Sequence, residues 1–193
     1  MKPEEIASIL ERLFDRDCIE HKPEDTWQIN NDNMTLLVIL SADLSWLRLL
    51  TPIASVTEAQ SLLPQLLENN FDATQEARYA IAQGVVWGVF HHPLASLIAE
   101  DLENAIANLV SLAKKGLTDA FYQLIEQRIR QIIKAAKSQG QSLEATYKTL
   151  DRLYQEGMLG GVDQDPQERE QFLAAWKFQL ERLWSEVSII NEQ

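Results

Sequence analysis

The sequence predicts an α+β fold: a two-layer antiparallel sheet with helices, followed by an all-helical C-terminal extension. Three observations lead to it. Short apolar runs separated by turn residues recur between Trp27 and Phe90, which is strand patterning. Amphipathic stretches at 3–14, 57–69 and 96–115 frame those runs with the period of a helix. From residue 117 onward only the helical period remains. The stop signal Lys114-Lys115-Gly116 coincides with the end of the two-layer pattern. We therefore expect an α+β domain over residues 1–116 and a helical extension over 117–193.

The elements follow in order. Pro3 suits a first helical turn, where its missing N–H costs nothing, and Glu4 and Glu5 complement the helix dipole. Ile6, Ile9, Leu10, Leu13 and Phe14 then form one stripe. Trp27-Gln28-Ile29 alternates like a strand, and Asn30-Asn31-Asp32-Asn33 is turn chemistry. Thr35 to Leu40 is a continuous apolar run, expected to be a strand buried on both faces. Ala42-Asp43 turns into a strand from Ser45 to Leu50, with Trp46, Arg48 and Leu50 on one face and Leu47 and Leu49 on the other. Thr57-Glu58-Ala59-Gln60 matches a capping box for the second helix. Pro64 either kinks that helix or marks its true start. Arg78–Ala82 and Val85–Phe90 read as a hairpin about Gln83-Gly84, the first arm being compatible with helix as well. The third helix runs from about Ser96 to Lys115 along Leu97, Leu102, Ile106, Leu109 and Ala113. Three further helical stripes follow: Phe121, Ile125, Ile129, Ile132 and Ala136; Leu143, Tyr147, Leu150 and Tyr154; and Phe172, Trp176, Leu180, Leu183, Val187 and Ile190. Linkers are expected at Ser138–Gln141 and Gly157–Asp165, and Asp165-Pro166-Gln167-Glu168 is a helix start.

Composition narrows the function. With 193 residues, 46% of them hydrophobic, the chain can bury a full core. A single cysteine, Cys18, excludes an intrachain disulfide, and no apolar run reaches spanning length. The N-terminus lacks a basic-then-apolar leader pattern. These features point to the cytoplasm and away from a membrane. The net charge is -12, with 8 basic and 17 acidic residues up to Lys115 and 9 and 12 after it. Such a field repels phosphate backbones, so no nucleic-acid partner is expected.

Candidate chemistry is sparse. His91-His92 tempts a metal reading, but adjacent strand residues point to opposite faces and cannot easily share one ion. Cys18 lies among Asp15, Asp17 and Glu20, whose charge makes a poor nucleophile of a thiol. Gly160-Gly161 lacks the spacing and lysine of a phosphate loop. Asp163-Gln164-Asp165-Pro166 starts like a calcium loop and then lacks its glycine, so helix capping explains it. No constellation meets the geometric needs of catalysis. We expect no enzyme activity, no metal and no cofactor.

Three stretches carry a resemblance to a known family: the helix end LLPQLLENN, the hairpin ARYAIAQGVVWGVF, and the entry HPLASLIAEDLENAIANLVSLA into the third helix. Over about Pro3 to Gly116 the chain resembles the type III secretion chaperone-like superfamily, in which one helix, three strands, a helix, two strands and a helix follow in order. The resemblance implies a small cytoplasmic homodimer without enzyme activity. It also implies binding of extended segments of other proteins on apolar patches of the first helix and the sheet. The helical region after Gly116 departs from that pattern.

The leading expectation is thus a peptide-binding chaperone or assembly factor that captures an apolar segment of a client protein. The alternative is a scaffold or regulatory adaptor that docks through its C-terminal helices. Helix one and the first strands carry more large apolar residues than a thin two-layer unit must bury. Leu10, Leu13, Phe14, Trp27, Ile29, Leu37, Ile39, Trp46 and Leu49 are the client-binding candidates, with Trp46 as an anchor. The competing reading is that the Phe172–Ile190 seam covers the same face. For the homodimer, the apolar strand suggests Val86, Trp87, Val89 and Phe90 as the interface.

Overall fold

A computed structural model describes residues 1–23, 25–31, 34–155 and 166–188, with backbone alone for 153–155 and 166–173. Helix α1 (Pro3–Leu13) opens the chain. Proline occupies its first turn, and Glu5 closes that turn by accepting the Lys2 N–H at 2.6 Å. Strands β1 (Ile19–Lys22), β2 (Thr26–Asn31), β3 (Met34–Leu40) and β4 (Trp46–Ser55) follow. Short helices α2 (Val56–Ala59) and α3 (Leu63–Asn69) lead to β5 (Arg78–Ala82) and β6 (Val85–Pro93). Helix α4 (Ala99–Lys115) closes the two-layer part. The six strands form one sheet in the order β1-β2-β3-β4-β6-β5, every pair antiparallel.

The structure is α+β as the pattern predicts, with three departures and one alternative decided. The first group has four strands, because Ile19–Lys22 pairs with β2. With one apolar residue among four it leaves little trace in sequence. Strand β3 is not buried on both faces. Met34, Leu36, Val38 and Leu40 are buried, while Thr35, Leu37 and Ile39 are half-buried. The cap of the second helix is Ser55 instead of Thr57: its hydroxyl accepts the Glu58 N–H at 3.1 Å. Pro64 marks a start, because a 3-10 turn over Gln60–Leu62 intervenes and α3 carries the proline in its first turn. The Gln83-Gly84 turn has φ of 51° and 75° at its two residues, the pairing that suits a tight hairpin.

Helices α1 and α4 pack on one face of the sheet. Ile6, Leu10, Ile29, Leu36, Val38, Leu47, Leu49, Phe90, Leu102 and Leu109 are among the buried residues of that core. Gly88 sets how closely α4 can lie. A Cβ there would meet the Thr51 Cγ2 at 3.0 Å and the Leu109 Cδ2 at 3.1 Å. The absent side chain lets helix and sheet approach. Gly116, at φ of 53°, ends α4, and its N–H bonds to the Leu112 carbonyl at 2.9 Å.

The chain divides into two compact units, Met1–Phe121 and Tyr122–Gln193. Helix α5 (Thr118–Ser138) runs across the division, and α6 (Leu143–Gln155) and α7 (Pro166–Trp184) follow. In the second unit Ile129, Ile133, Leu150, Leu180 and Leu183 are buried together, with Tyr147, Trp176 and Val187 packed against them. Lys137 donates to the carbonyls of Trp184 and Val187 at 2.6 and 2.7 Å, placing a cation at the C-terminal end of α7. The linker expected at Gly157–Asp165, with the Gly160-Gly161 and Asp163-Gln164-Asp165 stretches, lies outside the described residues. So do Asp32-Asn33 and Ile190, and the side chains of Tyr154 and Phe172.

Candidate binding surface

Alternation along the strands gives the sheet a second face, opposite α1 and α4. The pairing register lines its residues up in rows. Leu37, Leu50 and Val89 stand opposite one another across β3, β4 and β6. Ile39, Arg48 and His91 form the next row. Pro52, Trp87 and Ala80 form a row toward β5, and Trp46 pairs with Pro93. Leu37, Ile39, Trp46, Leu50, Trp87 and Val89 are all half-buried. Together they make an apolar ledge across three strands. The Arg48 guanidinium lies 4.9 Å over the Trp46 ring, and His91 meets that ring edge-on at 5.0 Å.

The candidate residues separate by face. Leu37, Ile39 and Trp46 lie on the ledge. Leu10, Trp27, Ile29 and Leu49 belong to the helix-side core and are buried there. Strand parity or helix stripe turns them inward, and of the four only Trp27 lines a surface groove, the one between α1 and β1. Leu13 is 40% exposed, at the end of α1, and Phe14 is half-buried against the core. The proposed dimer set divides in the same way. Val86 and Phe90 are buried on the inner face, and Trp87 and Val89 lie on the ledge. Strand β6 is also an interior strand, paired on both sides, so its backbone edges are taken. A list of large apolar residues passed over Arg48, Leu50, Pro52 and His91. Period-two alternation, from Trp46 along β4 and from Trp87 along β6, is the signal that points to them.

Two smaller surfaces lie at the sheet's ends. Between α1 and β1, a groove of about 330 Å³ is lined by Ala7, Glu11, Arg16, Ile19, His21 and Trp27. The rings of His21 and Trp27 stack in it, 4.9 Å apart and 9° from parallel. At the other end, a cleft of about 200 Å³ is lined by Leu63, Leu66, Leu67, Tyr79, Ala80, Ile81 and Val86. Leu67 and Ile81 in its lining are 67% and 57% exposed, and Phe71, two residues past α3, is 87% exposed. Asn70 blocks part of this edge. Its side-chain carbonyl accepts the Tyr79 N–H at 2.7 Å, and its amide donates to the Tyr79 carbonyl at 3.2 Å. One side chain thus occupies both backbone groups of an edge residue, a safeguard against unwanted strand pairing. Burial raises the Tyr79 phenol's pKa, and the charge of Asp119 adds to the effect.

Electrostatics set the ledge apart from the rest of an acidic chain. Glu20 is the one acidic residue at a described strand position on this face, and Lys22 lies 3.8 Å from it. In the β3–β4 turn, hydrogen bonds from Ser41 and Ser45 hold the Asp43 carboxyl down at about 2. His91 and His92 pair with Arg48 and Leu47 on opposite faces. His92 faces inward beside Phe90, with ring centroids 5.7 Å apart. Among the described residues no three His, Cys, Asp or Glu side chains gather to hold a metal ion. No helix among them is long and apolar enough to cross a membrane.

No family model matches the chain, and no curated protein matches it. Several solved structures resemble part of this chain. The ExsC–ExsE complex contains a chain 18% identical, with 58% of this chain and 90% of that one covered at a TM-score of 0.46. The HopA1–SchA chaperone–effector complex gives 16% identity, coverage of 56% and 87%, and a TM-score of 0.44. The Yersinia pestis type III secretion chaperone SycH, in complex with a stable fragment of YscM2, gives 14%, 59% and 98%, and 0.47.

Proposed function

We propose that this chain is a non-enzymatic chaperone or assembly factor of the cytoplasm that holds an apolar segment of a client protein on its sheet. The supporting observation is the ledge of Leu37, Ile39, Trp46, Leu50, Trp87 and Val89, on the face that α1 and α4 leave uncovered. Removing apolar surface from water stabilises a complex by about 25 cal/mol per Å². Ordering a flexible segment offsets part of that gain. The balance favours moderate, reversible affinity, which suits a protein that must release its client. Leu13 and Phe14 at the end of α1 extend the proposed contact.

The working form in this reading is a homodimer. Trp87 and Val89 remain candidates for its interface, and Leu67, Phe71 and Ile81 join them because they are apolar and largely exposed. The test is capture with the full chain, followed by limited proteolysis of what is bound. The reading predicts protection of one short apolar segment from an otherwise unfolded partner, and loss of capture with Trp46→Ala. A partner retained as an intact folded domain, equally by both proteins, would favour the adaptor function instead.

A further inference from the structure

Arg48 is out of place on the ledge. Apart from His91, its partner on β6, its neighbours are apolar or aromatic: Ile39 opposite it on β3, and Trp46 and Leu50 two residues away along β4. Among the described residues, five other arginines have oxygen partners, while Arg128 has none but lies exposed on a helix. Arg12 pairs with Glu103, Arg16 with Glu11, and Arg130 and Arg182 with Glu126. Arg78 donates to the Gln75 and Ala77 carbonyls. Arg48 forms no ion pair with any described residue, although the chain holds 29 acidic residues. The Arg48 Cζ lies 4.9 Å over the centre of the Trp46 ring, a cation–π contact that uses none of the N–H donors a carboxylate could take.

Resting on the capture reading above, we infer that the ledge takes a segment in which a carboxylate side chain lies between apolar ones, and that Arg48 reads that carboxylate. Charge complementarity selects this occupant. The ledge is a cationic and apolar island on a chain of net charge -12. An acidic segment is disfavoured by the chain's net charge and favoured beside Arg48. A basic segment gains from the net charge and meets repulsion at Arg48. The arrangement therefore sets register as well as affinity. An arginine–carboxylate contact on a half-buried apolar ledge is stronger than the same contact in open water.

The experiment is fluorescence anisotropy of the full chain with a matched set of synthetic peptides. Each is extended, with apolar residues flanking one central position that is Glu, Gln or Lys. The wild-type chain should bind the Glu peptide about tenfold tighter than the Gln peptide, as expected for a charge-assisted contact, and the Lys peptide most weakly. Arg48→Gln should erase the preference, and Arg48→Glu should invert it, both with unchanged melting temperature. Equal binding of all peptides, or an unaltered order in Arg48→Glu, would overturn the carboxylate readout while leaving segment capture standing. No binding by any peptide would overturn both. A change in the sedimentation of unliganded Arg48→Glu would mean that a second copy of the chain occupies the ledge, and the inference would fail.

Discussion

Trp46 and Leu49 sit on one strand and have opposite roles, because successive residues of β4 face opposite ways. Leu49 is fully buried among the residues beneath α1 and α4. Leu49→Ala should lower unfolding free energy by about 2–5 kcal/mol, the usual cost of a core truncation, measured by urea denaturation. Trp46 is half-buried, with the Arg48 Cζ 4.9 Å over its ring. Trp46→Ala should leave the melting temperature nearly unchanged and weaken segment binding by about 2 kcal/mol. A large stability loss with binding per folded molecule intact would remove Trp46 from the surface. The pattern along β4 was legible in sequence: it grouped Trp46, Arg48 and Leu50 apart from Leu47 and Leu49. Which group meets the helices was not, since both contain large apolar side chains. That choice depends on where α1 and α4 land, a long-range property that no local period encodes. Four client-binding candidates therefore turned out to be core.

At the scale of elements, strong local signals located most of the structure. Pro3, the Gln83-Gly84 turn and Gly116 are positions where backbone chemistry leaves few options. Strand β1 was missed because its pairing, and not its composition, makes it a strand. Gly88 is informative only in three dimensions, as the point where α4 meets β6. Gly88→Ala should destabilise the first unit by about 1–3 kcal/mol through overpacking. A neutral result in thermal unfolding would mean that α4 shifts freely. In the second unit, Glu126 joins α5 to α7 through Arg182, at 2.7 Å, and also holds Arg130. Hydrogen bonds from Arg182 and then Arg130 pull its carboxyl below the ordinary 4.5. A carboxyl depressed in the folded state stabilises fully above its ordinary value, and this contribution fades as pH falls through the lowered one. Glu126→Gln should therefore destabilise at neutral pH and differ little from wild type in acid, as read from helix unfolding by circular dichroism. An equal deficit at both pH values would assign Glu126 a packing role.

At the scale of the whole molecule, the division falls at Phe121, within α5. The sequence-based boundary at Gly116 is where α4 ends. We expect residues 1–116 to unfold cooperatively on their own, because α1, the sheet and α4 share one core. An aggregating fragment without a cooperative transition would make the later helices part of that core. Homodimerisation is to be read by sedimentation across concentration. A monomer at every concentration would leave Leu67, Phe71 and Ile81 without the second copy proposed for them. The central claim is that the sheet face opposite α1 and α4 holds a client segment. Hydrogen exchange of the full chain, with and without a captured segment, tests it most directly. Protection should rise in β3, β4 and β6 around Ile39, Arg48 and Val89, and stay unchanged in α6 and α7. Protection confined to the C-terminal helices, with the strands unaltered, would contradict it.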